Sequence, residues 1–227
     1  MPVQASISDS LISNRNLLET FKTLNSQDQV KLLQSLTTEE VYTLLYDWEL
    51  IARPEQLEPT SAWTIWLLLT GRGWGKTLTG AQTTRRKVKN GAQHIALVAP
   101  TAADTRDVML GLNPDSSGLL QVCPPWERPE YRPSYRSAVF PSGCVATLYS
   151  AEEPERLRGP QHDFAWGDEP ASWEKGEDVL SNIQFGLRRG SAQLLLTGTP
   201  KPTSIIRKLV RNPEVIITRG SMYDNPE

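Results

Sequence analysis

The chain has 227 residues, 38% of them hydrophobic, seven tryptophans, two cysteines and a formal net charge of −2. That length fits one large α/β domain, or one domain with a small appendage, and the apolar share is enough for a core. Near-neutrality argues against a broadly basic duplex-binding surface, two Cys and two His are too few and too scattered for a zinc site, and no apolar run is long enough to span a membrane.

The opening MPVQASISDS lacks the basic and apolar regions of a signal peptide. Cys123 and Cys144 read as reduced residues of a cytosolic protein. Residues 8–50 read as helices: Leu17-Leu18 and Phe21 recur at helical spacing, as do Val30, Leu32-Leu33 and Leu36. Ser26 with Gln29 three residues on predicts a capping box for the second helix. Thr38, followed by Val41, Tyr42 and Leu44-Leu45, opens a third. These segments carry no ionisable cluster and are expected to form a helical appendage over residues 1–52, with the main domain over 53–227. Pro54 and Pro59 mark a linker. Within it Gln56 offers the paired donor and acceptor that an adenine edge needs, or is simply a solvated loop side chain.

Ile65-Trp66-Leu67-Leu68-Leu69 has the length and apolarity of a strand buried on both faces. A glycine-rich turn follows, Gly71-Arg72-Gly73-Trp74-Gly75, then Lys76-Thr77 and a helix over Leu78–Val88. Strand, glycine-rich loop, Lys-Thr and helix is the context that a phosphate-binding loop requires. The glycines let backbone N–H groups face an anion, and the helix N-terminus adds its positive end. Lys76 would reach the β/γ-phosphates and Thr77 would ligate Mg²⁺. The usual pattern puts its first glycine at position 70, where this chain has Thr70. The basic run Arg85-Arg86-Lys87-Val88-Lys89 reads as a solvated helix end that suits the dipole, closed by Asn90-Gly91.

His94–Ala99 predicts a second strand, followed by a helix from about Ala103 to Leu110. The proline-dense stretch 112–135 reads as an excursion outside the sheet. Ala138–Tyr149, broken by Pro141-Ser142-Gly143, reads as a hairpin. Phe164-Ala165-Trp166 predicts a short strand delivering Asp168 and Glu169 to its C-terminal end, where ligands of open α/β sheets bind. Asp168 would hold Mg²⁺ and Glu169 would polarise a water for attack on the γ-phosphorus. Gly167, where an apolar residue is usual, is expected to mark a bulge. Leu194–Thr197 is a further buried strand, and Thr197-Gly198-Thr199 after it would sense the γ-phosphate or be an ordinary turn. Val215–Thr218 is the last strand. The order predicts a mostly parallel sheet with helices on both faces. Arg72 would fork onto phosphate oxygens in cis. Arg106, Arg136 and Arg158 are candidates for an arginine finger offered to a neighbouring subunit, or form ordinary salt bridges.

Gln56, GRGWGKT at 71–77, APT at 99–101, ERLRGP at 155–160, WGDE at 166–169 and LLLTGTP at 194–200 together resemble the ATPase domain of terminase large subunits. These are the DNA-packaging motors of tailed bacteriophages and prophages, and the resemblance covers roughly residues 40–227. It implies a P-loop NTPase fold of the additional-strand, catalytic-glutamate type. It also implies ATP hydrolysis with Mg²⁺ coupled to translocation of double-stranded DNA into a procapsid. By the resemblance Gly71, Arg72, Gly73, Trp74, Gly75, Lys76 and Thr77 bind ATP, and Thr77 and Asp168 hold the metal. Glu169 is the catalytic base, with Lys76 and Arg72 also acting on the phosphates. Thr197, Gly198 and Thr199 couple hydrolysis to movement, and Gln56 reads adenine. The implied partners are the portal protein and a small terminase subunit. The chain would be a homo-oligomeric ring when assembled and a monomer in isolation, in the host cytoplasm and away from membranes. The family's C-terminal nuclease domain has no counterpart in the sequence, so no DNA cleavage is expected. Two other readings are a helicase-like DNA-dependent ATPase and a non-hydrolysing ATP-binding assembly protein.

Overall fold

Ile65–Thr70 (β1) is buried at every position. The structure is a computed structural model and describes residue 21 and residues 23–224; Leu17 and Leu18 of the first expected helix lie outside the described residues. The chain divides between Gln56 and Leu57 into two compact units.

In the first unit, α1 (Ser26–Ser35), α2 (Thr38–Leu45) and α3 (Trp48–Ile51) are short helices joined by tight turns. Asn25, not Ser26, caps α1: its side-chain oxygen accepts from the backbone N–H groups of Gln27 and Asp28. Its amide donates to the Asp28 carboxylate at 2.8 Å, so Ser26 falls inside the first turn. Thr37 and Glu40 form a reciprocal capping box on α2. Trp48 is the buried residue of α3, and a 3-10 turn, Pro54–Gln56, closes the unit.

The second unit is built on an eight-stranded sheet. Its strands are β1, β2 (His94–Ala99), β3 (Glu130–Arg132), β4 (Ser137–Val139), β5 (Val145–Ser150), β6 (Phe164–Asp168), β7 (Gln193–Gly198) and β8 (Val215–Gly220). The order is β3-β4-β5-β2-β6-β7-β1-β8. The six strands from β5 to β8 are parallel, and β3 and β4 add an antiparallel edge. The excursion therefore returns to the sheet. Glu130-Tyr131-Arg132 pairs with Ser137–Val139, a two-strand edge whose alternation is too short to read in sequence. Strand β7 lies between the glycine-loop strand β1 and the acid strand β6.

Residue alternation along β1 sends Trp66 and Leu68 to one core and Ile65, Leu67 and Leu69 to another. The first core holds α4 (Lys76–Lys89), the π-helical stretch Thr105–Leu110 that extends the short α5 (Ala102–Asp104), and α6 (Leu119–Val122). The second holds α7 (Gly176–Gly186) and α8 (Ser204–Arg211). With helices on both faces, nearly every side chain of β1, β2, β6 and β7 leaves water, each large apolar one contributing roughly 1.5–3 kcal/mol.

The basic run of α4 is less solvated than its composition predicts. Arg85 is buried and ion-paired with Glu127. Lys87 reaches Glu58 and the Gln193 side-chain oxygen, over the Trp63 ring. Partners distant in sequence bury these charges, so local composition did not reveal them. Gly167 also departs from expectation. It pairs in unbroken register with Val98 and Leu196, with no bulge. A Cβ there would press on the Trp173 ring and Leu196 at 2.7 and 2.8 Å. Close packing, not a change of strand direction, requires this glycine.

Candidate nucleotide site

The loop after β1 turns at Gly73 (φ 73°) and Gly75 (φ 96°), both left-handed, which glycine adopts without a Cβ penalty. Gly75 caps α4 with no side-chain hydrogen bond. The first N–H groups of this fourteen-residue helix lie at the mouth of the loop. Lys76 Nζ donates to the carbonyls of Thr70 and Gly71 at 3.2 and 2.9 Å. An ammonium has three donors, so one remains for an anion. Arg72 is exposed at the loop tip. Trp74 differs: its ring is 1% exposed, packed in the core against Gly220, where a Cβ would overlap the indole. The Gly71 N–H bonds the Gly220 carbonyl at 3.1 Å. The Trp74 side chain therefore pins the loop to the end of β8, and only its backbone faces the loop. Thr70, in place of the usual first glycine, is fully buried, and its hydroxyl has no hydrogen-bond partner among the described residues.

The acids arrive at the C-terminal ends of neighbouring parallel strands. Asp168, the last residue of β6, accepts a 2.6 Å hydrogen bond from the Thr197 hydroxyl of β7. Burial pushes its carboxyl up to about 6, reinforced by the Glu169 charge and opposed by the Thr197 hydrogen bond and Lys76. Glu169 adopts a left-handed conformation, φ 48° and ψ 54°, uncommon for a residue with a Cβ and of order 1–3 kcal/mol in cost. Its N–H donates to the Thr197 carbonyl at 2.6 Å. Its carboxylate is gripped by the Thr199 backbone N–H at 3.2 Å and the Thr199 hydroxyl at 2.9 Å. Lys76 lies in the field of both acids. Burial lowers its ammonium below the ordinary lysine value, the charges of Glu169 and Asp168 act against this, and Arg72 adds to it. Lys76, Arg72, Asp168, Glu169 and the 197–199 turn thus form one cluster. Thr77 follows Lys76 in the first turn of α4.

The donors suit a hard cation. One carboxylate and one hydroxyl, both oxygen, match Mg²⁺, which keeps several waters and takes substrate phosphates as further ligands. A denser cage is absent: among the described residues no group of three or more His, Cys, Asp or Glu is placed to hold a metal.

A family model described as "Terminase large subunit, T4likevirus-type, N-terminal" matches residues 67–212. The chain belongs to the terminase large-subunit family. Membership places it among proteins of viral DNA packaging. Solved terminases share its fold. The large terminase ATPase domain of Thermus phage P74-26 matches with a TM-score of 0.59 at 14% identity, over 83% of this chain and 86% of that one. The large terminase of a thermophilic bacteriophage matches with a TM-score of 0.56 at 14% identity, over 80% of this chain but 45% of its own length. The same terminase solved with ADP gives 0.56 at 18% identity, over 80% and 44%. The chain thus spans less than half of that longer terminase. No curated protein sequence matches it.

The three candidate finger arginines are each held by partners on their own chain. Arg106 is held by both oxygens of Asp107 at 2.7 Å. Arg136 binds Glu153 at 3.0 Å from a left-handed turn. Arg158 donates to Glu155 at 2.9 Å and to the Asn182 side-chain oxygen at 3.3 Å. Gln56 belongs to the first unit, where it is buried and its side-chain oxygen accepts from the Arg53 N–H at 3.1 Å. The solvated-loop alternative for Gln56 is therefore excluded. Sequence reasoning brought Thr197-Gly198-Thr199 to the site but missed the hold of Thr199 on Glu169, because no local pattern shows which side chains meet across two strand ends.

Proposed function

We propose that this chain binds Mg-ATP at the α4 N-terminus and hydrolyses it as the motor domain of a terminase, driving double-stranded DNA into a procapsid. The observation that carries this reading is the convergence of Lys76, Asp168 and Glu169 at the C-terminal edge of one parallel sheet, with β7 between their strands. ATP would place its phosphates on the N–H groups of the 71–77 loop, with Lys76 and Arg72 on their oxygens. Bound Mg²⁺, held by Thr77 and Asp168, would neutralise phosphate charge. Glu169 would accept a proton from the attacking water; Thr199 uses two of its acceptor positions, and a carboxylate has about four. Thr197 and Thr199 contact the two acids, and Thr197-Gly198-Thr199 would relay the state of the site along β7. Gln56 would read adenine through the paired donor and acceptor of its amide.

Double-stranded DNA, a portal protein and a small terminase subunit would be the partners, around a ring of copies in the host cytoplasm. No DNA cleavage is expected of residues 1–227. The related large terminase has been solved in complex with ADP and with ATP-γ-S, in keeping with a nucleotide at this loop. The test is phosphate release from Mg-ATP beside Glu169→Gln. Turnover is expected in the parent and a loss of about a thousandfold in the variant, with ATP binding retained, as for removal of a proton-accepting group. ATP binding without turnover in the parent would leave a non-hydrolysing assembly protein. No binding at all would reject the phosphate-loop assignment.

A further inference from the structure

Trp166 lies two residues before Asp168 on the same face of β6 and is fully buried. Its indole N–H donates to the Thr197 hydroxyl oxygen at 2.8 Å, and that oxygen lies 2.6 Å from Asp168 Oδ1. Indole nitrogen is a donor only. The Thr197 oxygen therefore accepts from Trp166, and its own hydrogen must go elsewhere. The alternative acceptor, the Gly167 carbonyl, is 3.5 Å away, so the hydrogen points at Asp168. The direction of the whole chain is thus fixed by the tryptophan.

The same indole also sets a spacing. It lies directly on the backbone of α4 at Gly80, where a Cβ would overlap the ring. Gly80 sits one turn below Thr77 on the same helix face. The ring therefore acts as the spacer between the helix that carries Thr77 and the strand that carries Asp168. A packing role alone would be met by any large apolar side chain; the N–H directed at Thr197 would not.

We propose that Trp166 is a positioning residue for the divalent cation, orienting the Asp168 carboxylate through Thr197 and fixing its separation from Thr77. This rests on the Mg-ATP reading above. Groups that orient a metal ligand change metal affinity about 10–100-fold when removed. Removing the indole N–H frees the Thr197 hydroxyl to turn away, and Asp168 loses its orientation while keeping its charge.

The experiment is equilibrium binding of a fluorescent ATP analogue, without turnover, in Mg²⁺ and in EDTA. It compares the parent chain with Trp166→Phe, Thr197→Val, Thr197→Ser and the Trp166→Phe/Thr197→Val double variant, each checked for a cooperative melt. Trp166→Phe is expected to raise the Mg²⁺ concentration for half-maximal enhancement about tenfold, with binding in EDTA unchanged. Thr197→Val should show a shift in the same direction and no larger, the double variant should match Trp166→Phe, and Thr197→Ser should keep the Mg²⁺ response of the parent. Equal Mg²⁺ response in Trp166→Phe and parent would overturn the proposal, as would additive losses in the double variant. Should Trp166→Phe fail to fold, the Val and Ser variants decide: an equal Mg²⁺ response in both overturns it. A parent that binds no nucleotide even in EDTA would instead reject the site itself.

Discussion

Asp168 shows what it costs to bury a carboxyl at the sheet edge. Its carboxyl is raised from 3.8 to about 6 by burial, so the native state binds its proton more tightly than the unfolded chain does. Between those values the native state carries more protons, and stability falls as pH rises through the window. Above about 6 the full penalty is present; below about 4 it is gone. Asn in place of Asp keeps an oxygen for the Thr197 hydroxyl and removes the charge. In EDTA without nucleotide, Asp168→Asn is therefore expected to be more stable than the parent near pH 8 by about 2 kcal/mol, after allowing for partial exposure. The gain should vanish near pH 4. His162, lowered to about 4 mainly by burial, has the opposite slope, but it is present in both proteins and cancels in the difference. Urea melts across pH provide the check, and a difference that does not change with pH would reject the account. The stored cost fits a group that a cation would stabilise.

The glycine-loop helix α4 shows why some of the fold was legible in the sequence and some was not. Its start was readable because Gly75-Lys76-Thr77 is local chemistry, and its end because Asn90-Gly91 is local geometry. Its burial pattern was not. Thr79, Gln82, Thr83, Thr84 and Arg85 are all buried, against their composition, because β6, β7 and the excursion from 112 to 135 close over them. Gly80 looks like a mid-helix weakness, where Ala should gain up to about 1 kcal/mol. The indole above it predicts the reverse. Gly80→Ala is expected to lose about 1–3 kcal/mol by overpacking, and the loss should shrink in a Trp166→Phe background, where the smaller ring leaves room. A double-mutant cycle by chemical denaturation measures this. Stabilisation by Gly80→Ala in the parent would show that the indole yields. Gly167 follows the same logic: the sequence located the glycine, but the reason for it, Trp173, was visible only once β6 and the chain after it were folded together.

At the scale of the whole molecule, the cluster at the sheet edge brings together one cation from the loop tip, Arg72, and one from the helix, Lys76. Arg106, Arg136 and Arg158 are each paired with a carboxylate on their own chain and have side-chain exposures of 47%, 50% and 67%. Exposed pairs of this kind are worth little, about 0–1 kcal/mol, so an arginine can leave its partner for a stronger anion at small cost. A phosphate on a neighbouring copy, bound bidentately, is such an anion. Turnover per chain is therefore expected to rise with protein concentration, as copies meet and supply each other's missing cation. Mixing separates the alternatives more sharply than dilution does. A chain with one of the three arginines changed to Ala keeps its own Glu169, while a Glu169→Gln chain keeps all its arginines. If that arginine acts across the interface, the two inactive chains should together recover measurable phosphate release, because mixed interfaces pair an intact acid with an intact finger. Two inactive chains that stay inactive when mixed, for each arginine in turn, would put the cation in cis. Turnover strictly linear in protein would agree with that, and Arg72 would then be the arginine that acts.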